Sequence, residues 1–583
     1  MVLLRTAFLG LAFLGYFLFF NKKGLDIALA PIVVLSAIGS VIFFAGLLNI
    51  MPLTAYLIVI AGIVLFFCAK PWQRTEKSDL RRTAVILGIY ALFGLFLALR
   101  LYRQIPIEYD CFSHWLTVVK EMIRNDRMPN FQSATVMFQG YPTGSAGFIY
   151  FICKIIGKSR DDLIVFSQAV LIISAVIAPL AFIRKFNVSS ALVFIGWALF
   201  CLVANILINE LLVDTLVSVL SLAAIAVVLR YRDMPRKAGL CCLPIQIFLI
   251  TVKNSGILMV FINCIFLFLI LWYTNRGRKK TGECFKAAGI NAFFPFATYY
   301  LWLQHVKYVF PQGMVAKHTA SVENYTGVLG EKTAEQISGI LNAFFKRFFS
   351  WNNAWLYLAV FFLILCVCFL YRRKASNGDS VFREALIFVA VLLAYFGFMA
   401  VLSVMYLVSM PYDEAIILAS YERYEYTVLI VLVGCIVLYT LCTLQTERPK
   451  AVATYAGRIL LVLLAAVIFA TKAPNVKRLF VKENHYEQTD RYCLEQIKAR
   501  YQLPEGGSYI VVGDSVADDK DYHYFLSKYV FWTNNVVACT PENFKQELGR
   551  HQYLVLLNRS AAVDRFLEER GYSLGESAYK LYE

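Results

Sequence analysis

The stretch LYRQIPIEYDCFSHWLTVVKEMIRNDRMPNFQSATVMFQGYPTG, residues 101–144, is the first long polar interval in a chain otherwise made of apolar runs. It carries Glu108, Asp110, His114 and Lys120, and a Tyr141-Pro142-Thr143-Gly144 turn closes it. It stands out because so little around it is polar. Of 583 residues, 59% are hydrophobic and 16% charged, where soluble chains hold about 25% charged residues. The apolar residues gather in runs of about 17–22, bounded by charge, a length that crosses a bilayer as helix. Inside lipid a run must satisfy its own backbone hydrogen bonds, and that makes it helical.

Before the stretch the runs are 4–20, 27–48, 54–69 and 84–100. After it come 163–182, 189–208, 211–229, 238–252, 256–273, 286–303, 352–371, 384–405, 425–443 and 456–471. They predict a mainly α fold, a polytopic transmembrane bundle of about 13–14 spans occupying residues 1–471. The run 144–157 is short and interrupted by Lys154. It is expected to lie in the interface or re-enter rather than cross. Leu3–Phe20 has the position of a signal peptide, but no small-residue cleavage site follows, so it is expected to be retained.

Short basic loops orient the bundle. They are Lys70 to Arg82, Arg230 to Lys237, Arg276 to Lys280, Arg372 to Lys374, and Arg448 to Arg458. An even number of runs separates each neighbouring pair, so all five fit on the cytoplasmic side. Residues 101–162, the turn at Lys253, a second large loop at 304–351, residues 406–424 and the tail then face outward. The formal net charge of +17 is explained by this placement and by anionic lipid; no nucleic-acid partner is expected. Most of the fourteen cysteines sit in apolar runs as small hydrophobes, and there is no CxxC.

The tail, 472–583, has no lipid-length run. Strands at 508–512, 536–539 and 553–557 alternate with helices at 519–529, 542–548 and 561–570, which predicts a small extracytoplasmic α/β domain. It lacks GxGxxG and a P-loop, so no cofactor is indicated there.

Chemistry-bearing residues gather on the predicted outer face. Glu108, Asp110 and His114 cluster where an aqueous site meets lipid, with Tyr109 beside them; Asp110 and His114, four apart, share a face once a helix begins. A capping role is the structural alternative for Asp110. Lys253 in TVKNSG, Lys317 and His318 in KYVFPQGMVAKHTAS, and Arg423 in SYERYEY are the cations suited to a phosphate. Snorkelling or interface anchoring is their structural alternative. Asp413 precedes Arg423, and Asn209, Glu210 and Asp214 lie at the outer end of two tightly joined runs, where polar residues line a cavity or pack against each other.

YDCFSHW (109–115), followed by KEMI (120–123), MP (128–129) and YPTG (141–144), resembles the first outer loop of bacterial GT-C-type membrane glycosyltransferases, the superfamily of protein O-mannosyltransferases and lipid A aminoarabinose transferases. ILINELLVDT (206–215), TVKNSG (251–256), KYVFP…AKHTAS (307–321) and YERY (421–424) are similar to later blocks of a divergent branch. The resemblance covers roughly residues 84–430. It implies an inverting transferase in the bacterial cytoplasmic membrane, taking a sugar from a polyprenyl-phosphate donor to an envelope glycan, lipid or protein acceptor. Asp110 would be the base, with Glu108 and His114 beside it. Lys253, Arg423, Lys317 and His318 would lie near the donor phosphate, and Tyr109, Asn209, Glu210 and Asp413 would contact substrate. Many relatives carry adjacent Asp-Glu in the loop; here Cys111 follows Asp110. The resemblance leaves room for a divalent metal. The alternative reading is a multi-span transporter or flippase, for which intramembrane Asp214 and Lys253 are also suited.

Overall fold

The structure is a computed structural model. It describes residues 1–70, 77–133, 135–203, 208–278, 280–310, 322–350, 379–446 and 485–581, with isolated positions besides. The first seven of these segments are helical. The helices are α1 Val2–Lys22, α2 Ala30–Leu47, α3 Met51–Ala69, α4 Lys77–Leu101, α5 Leu116–Asn125, α6 Gly144–Ile156 and α7 Asp161–Val176. They continue as α8 Val188–Val203, α9 Asp214–Arg230, α10 Pro235–Ile250, α11 Gly256–Asn275, α12 Thr281–Val309, α13 Val322–Gly330, α14 Ala334–Phe349, α15 Asp379–Val408 and α16 Tyr421–Thr446. Among the described residues, eight helices are long and apolar enough to cross a membrane. Twelve of the fourteen apolar runs fall on described helices; 352–371 and 456–471 fall outside the described residues except at isolated positions.

Local chemistry sets the helix ends. Pro31, Pro52 and Pro235 stand in the first turns of α2, α3 and α10, where a missing N–H costs nothing. Thr333 and Gln336 close α14 with a reciprocal capping box. The run at 144–157 becomes α6, thirteen residues and almost wholly buried. Its length of about 20 Å is short of a hydrocarbon core of about 30 Å, and it packs inside the bundle against α1, α2, α5 and α7.

Three of the basic loops meet at one end of the bundle. Asp26, in the α1–α2 turn, is ion-paired to Arg82 of α4 and Arg230 of α9, each at 3.1 Å. Lys237 donates to Gly24 O at 2.5 Å, and Arg278 pairs with Asp233 at 2.5 Å. Asp214 begins α9 and Arg230 ends it, so Asp214 lies at the other end, about 24 Å away along the helix axis.

The tail holds a four-stranded sheet in the order β2-β1-β3-β4. Strands β1 Tyr509–Val512, β2 Val536–Cys539 and β3 Tyr553–Leu556 are parallel, and β4 Ala578–Lys580 runs antiparallel to β3. Tyr509, Ile510, Val511 and Val512 are all buried, the uninterrupted apolar pattern of a strand covered on both faces. Helices α17 Asp490–Arg500 and α18 Lys520–Phe531 cover one face, and α19 Ala561–Glu569 covers the other. α17 and α18 also seat the tail on the 101–144 stretch. Buried Arg491 donates to Pro106 O at 2.5 Å and to Asp161 at 2.6 Å. Tyr522 and Phe525 pack on Tyr109, Phe112 and Phe138.

Candidate functional site

A cavity of about 480 Å³ opens at the Asp214 end of the bundle. Its charged end is assembled from four separate segments. Asp110 comes from the loop after α4, immediately before a π-helical turn, Cys111–Trp115, that leads into α5. Asp214 is the first residue of α9. Lys253 sits in the turn between α10 and α11, and Arg423 in the first turn of α16.

These four side chains form one chain of ion pairs. Arg423 Nη1 is 2.5 Å from Asp110 Oδ2, and Arg423 Nε is 3.2 Å from Asp214 Oδ2. Lys253 Nζ is 2.7 Å from Asp214 Oδ1 and lies 5.2 Å from the centre of the Tyr424 ring. Two carboxylates and two cations balance, which lets such charges stay deep in the protein. The four are unequally covered: the Asp214 side chain is 5% exposed and that of Asp110 33%. Asp214 is therefore the fixed counter-ion, reinforced by its place at a helix N-terminus, and Asp110 is the arm that reaches the open space.

Gly144 sets the Lys253 turn. Its N–H donates to Thr251 O at 2.8 Å, and a Cβ on it would stand 2.1 Å from Thr251 Oγ1. The YPTG turn therefore holds the Lys253 turn at backbone contact. His114 lies on the cavity wall, its ring 4.6 Å from Trp115 and 5.2 Å from Tyr141 between centres.

One wall of the cavity is apolar. Phe398, Val401, Leu402, Met405 and Val408 of α15 line it as a helical stripe facing Ile257 and Leu258 of α11. From Phe398 to Val408 the stripe runs about 15 Å along the helix. Val401 is 48% exposed. The cavity thus combines a charged cluster with an apolar stripe.

Of the residues singled out in the sequence, Asp110, His114, Tyr109, Lys253 and Arg423 line this cavity. Glu210 does not. It lies beneath the loop, where it accepts from the backbone N–H of Ile107 at 3.1 Å and Glu108 at 3.4 Å and from the Cys111 thiol at 3.1 Å. Burial pushes its carboxyl up to about 7, the bonds opposing and the neighbouring Glu108 adding. Burial, then the Glu210 charge, also holds the Cys111 thiol protonated. A second carboxylate at position 111 would thus face one already there. Glu108 is exposed, and neither it nor Asn209 lines the cavity. Asp413 is exposed outside it, and its neighbour Glu414 lines the wall instead. Lys317 and His318 lie outside the described residues.

Tyr141, Tyr424 and the α15 stripe belong to the cavity without having been singled out for chemistry. Within a span that is apolar on every side, a groove-facing stripe has the same composition as a lipid-facing one, so only three-dimensional packing reveals it. Among the described residues, no three His, Cys, Asp or Glu side chains are grouped to hold a metal ion. No protein-family model matches the chain, and neither does any curated protein.

Proposed function

We propose that the cavity takes a polyprenyl-phosphate sugar and that the chain transfers the sugar, with inversion, to an acceptor hydroxyl in the bacterial cell envelope. The observation that carries this reading is a cavity that joins two cations to an apolar stripe along α15, which suit a phosphate head and a polyprenyl tail. The orientation expected from the basic loops supports an envelope-facing site.

The ion-pair chain gives the reaction an order. Arg423 holds Asp110 in an ion pair. A donor phosphate entering between Arg423 and Lys253 competes for the guanidinium through charge-assisted bonds and releases the Asp110 carboxylate. Asp110 then takes the proton of the acceptor hydroxyl as its oxygen attacks the anomeric carbon. The bond from that carbon to the phosphate oxygen breaks, and its electron pair stays on the phosphate. The leaving phosphate gains a second negative charge, so Arg423 and Lys253 bind it more tightly than the donor, and that difference accelerates the step. Asp214 keeps both cations in place throughout.

The test is transfer of label from polyprenyl-phosphate sugars by membranes containing the wild type or Asp110→Asn. The expected loss is about 100-fold or more in a protein with unchanged unfolding temperature. A folded Asp110→Asn working at the wild-type rate removes Asp110 as the base. Solute movement with no turnover of any donor supports transport instead.

A further inference from the structure

A second cavity, of about 520 Å³, lies at the seam between α5 and the tail. Three helices end there. The C-cap residues of α5 and α18, Asp126 and Trp532, and Gln502, two residues past the end of α17, all have left-handed backbone, with φ of 54°, 53° and 49°. That conformation is costly for a residue as bulky as tryptophan. The structure nevertheless turns the indole into the seam, with the Arg124 guanidinium 4.8 Å from its ring centre.

Four cations and three carboxylates meet at the seam and pair with one another. Glu505 accepts from Arg124 at 2.5 Å and from Lys498 at 2.9 Å. Glu495 pairs with Arg491 at 2.8 Å, and Lys120 pairs with Asp161 at 2.9 Å. A ligand rich in hydroxyl groups, which donate and accept at once, can engage side chains of both signs there. Arg124, Gln502, Glu505 and Glu495 line the seam with planar donors and acceptors, and the half-buried Trp532 ring offers apolar surface for the C–H side of a sugar.

We propose that this seam binds a saccharide. The name acceptor for that saccharide rests on the transfer reaction proposed above; the binding itself does not. The seam lies along the same helix that leads from the first cavity. From His114 to Arg124 is about 15 Å by helical rise, a distance a short oligosaccharide spans. Binding energy gathered here, away from the reacting hydroxyl, would orient the acceptor beside Asp110.

The test uses the full-length protein in lipid nanodiscs, titrated calorimetrically with chitotetraose, tetragalacturonate and maltotetraose. Trp532→Gly removes the ring while keeping a residue that tolerates left-handed backbone, and Glu505→Gln keeps shape while removing charge. At least one of the three probes is expected to bind. Trp532→Gly should weaken it about tenfold, the loss of one aromatic anchor, with Glu505→Gln weaker than wild type and Asp110→Asn unchanged. Binding by none of the three, binding indifferent to both seam variants, or binding abolished by Asp110→Asn overturns the proposal. Absence of sugar transfer in every assay refutes the transferase reading and leaves these binding results standing as a saccharide site.

Discussion

Glu210 shows how one buried residue answers to its surroundings and not to its chemistry. Its carboxylate ties together the backbone of the loop that presents Asp110. Burial raises its pKa from 4.5 to about 7, so the folded state holds the proton more tightly than the unfolded chain does. That contribution to stability is fully present below pH 4.5 and is lost as pH rises to about 7. Glu210→Gln should remove the decline over that window, a change of up to about 3 kcal/mol, read as the slope of unfolding temperature against pH. An unchanged slope would mean that the carboxyl titrates normally. At this scale the sequence spoke clearly about charge in unexpected places: Asp110, Lys253 and Arg423 stand out against lipid, and they meet. It was silent on which of two adjacent acids faces the cavity. Asp413 and Glu414 differ only in the direction a five-residue helix points them.

Between elements, the contact of the YPTG turn with the α10–α11 turn has no slack. Gly144→Ala would drive a methyl into Thr251, and either the turn carrying Lys253 shifts or the two segments separate. Overpacking of this kind costs about 1–3 kcal/mol. Gly144→Ala should therefore lower the unfolding temperature and weaken phosphate binding together, whereas Gly147→Ala on the same helix, where the nearest atom would lie at 3.4 Å, should do neither. Helices were legible wherever apolar runs were long, because lipid-length hydrophobicity leaves the backbone one solution. The strands β1, β2 and β3 were legible for the same kind of reason, being buried and uninterrupted. Helix α17 and strand β4 were not. α17 buries only Leu494, Ile497 and the charged Arg491, too few apolar positions to mark a period, and β4 has three residues. The seating of both is decided by the sheet and by the loop they touch.

Over the whole molecule, the tail and the membrane bundle share the loop that carries Asp110. Arg491 holds that loop from α17, Tyr522 and Phe525 hold it from α18, and a histidine–carboxylate pair joins the two helices. His523 Nε2 lies 2.7 Å from Asp490 Oδ2, while its Nδ1 faces Asp519 O at 2.7 Å. Each ring nitrogen thus has an acceptor in reach. Burial pulls the imidazole down, and the bonds to Asp490 and Asp519 more than reverse it, so its pKa is raised above 6.5. Such a group stabilises fully below its unfolded value and loses the contribution as pH rises through the folded one. Amide exchange across residues 101–115 should accelerate in the wild type as pH climbs above 6.5, after correction for intrinsic rates, and His523→Gln should exchange fast at every pH. Equal protection in both proteins would uncouple the latch from the loop.

The claim on which the functional account rests is that the first cavity holds a polyprenyl phosphate, head at Lys253 and Arg423 and tail along α15. Equilibrium binding of undecaprenyl phosphate to the purified full-length protein tests it most directly. The account predicts saturable binding that falls about tenfold or more when Arg423→Gln removes one phosphate contact. It predicts a similar fall when Val401→Trp fills the groove, with farnesyl alcohol, which lacks the phosphate, binding far more weakly to the wild type. Saturable binding that neither substitution alters, or no saturable binding at all, would contradict it.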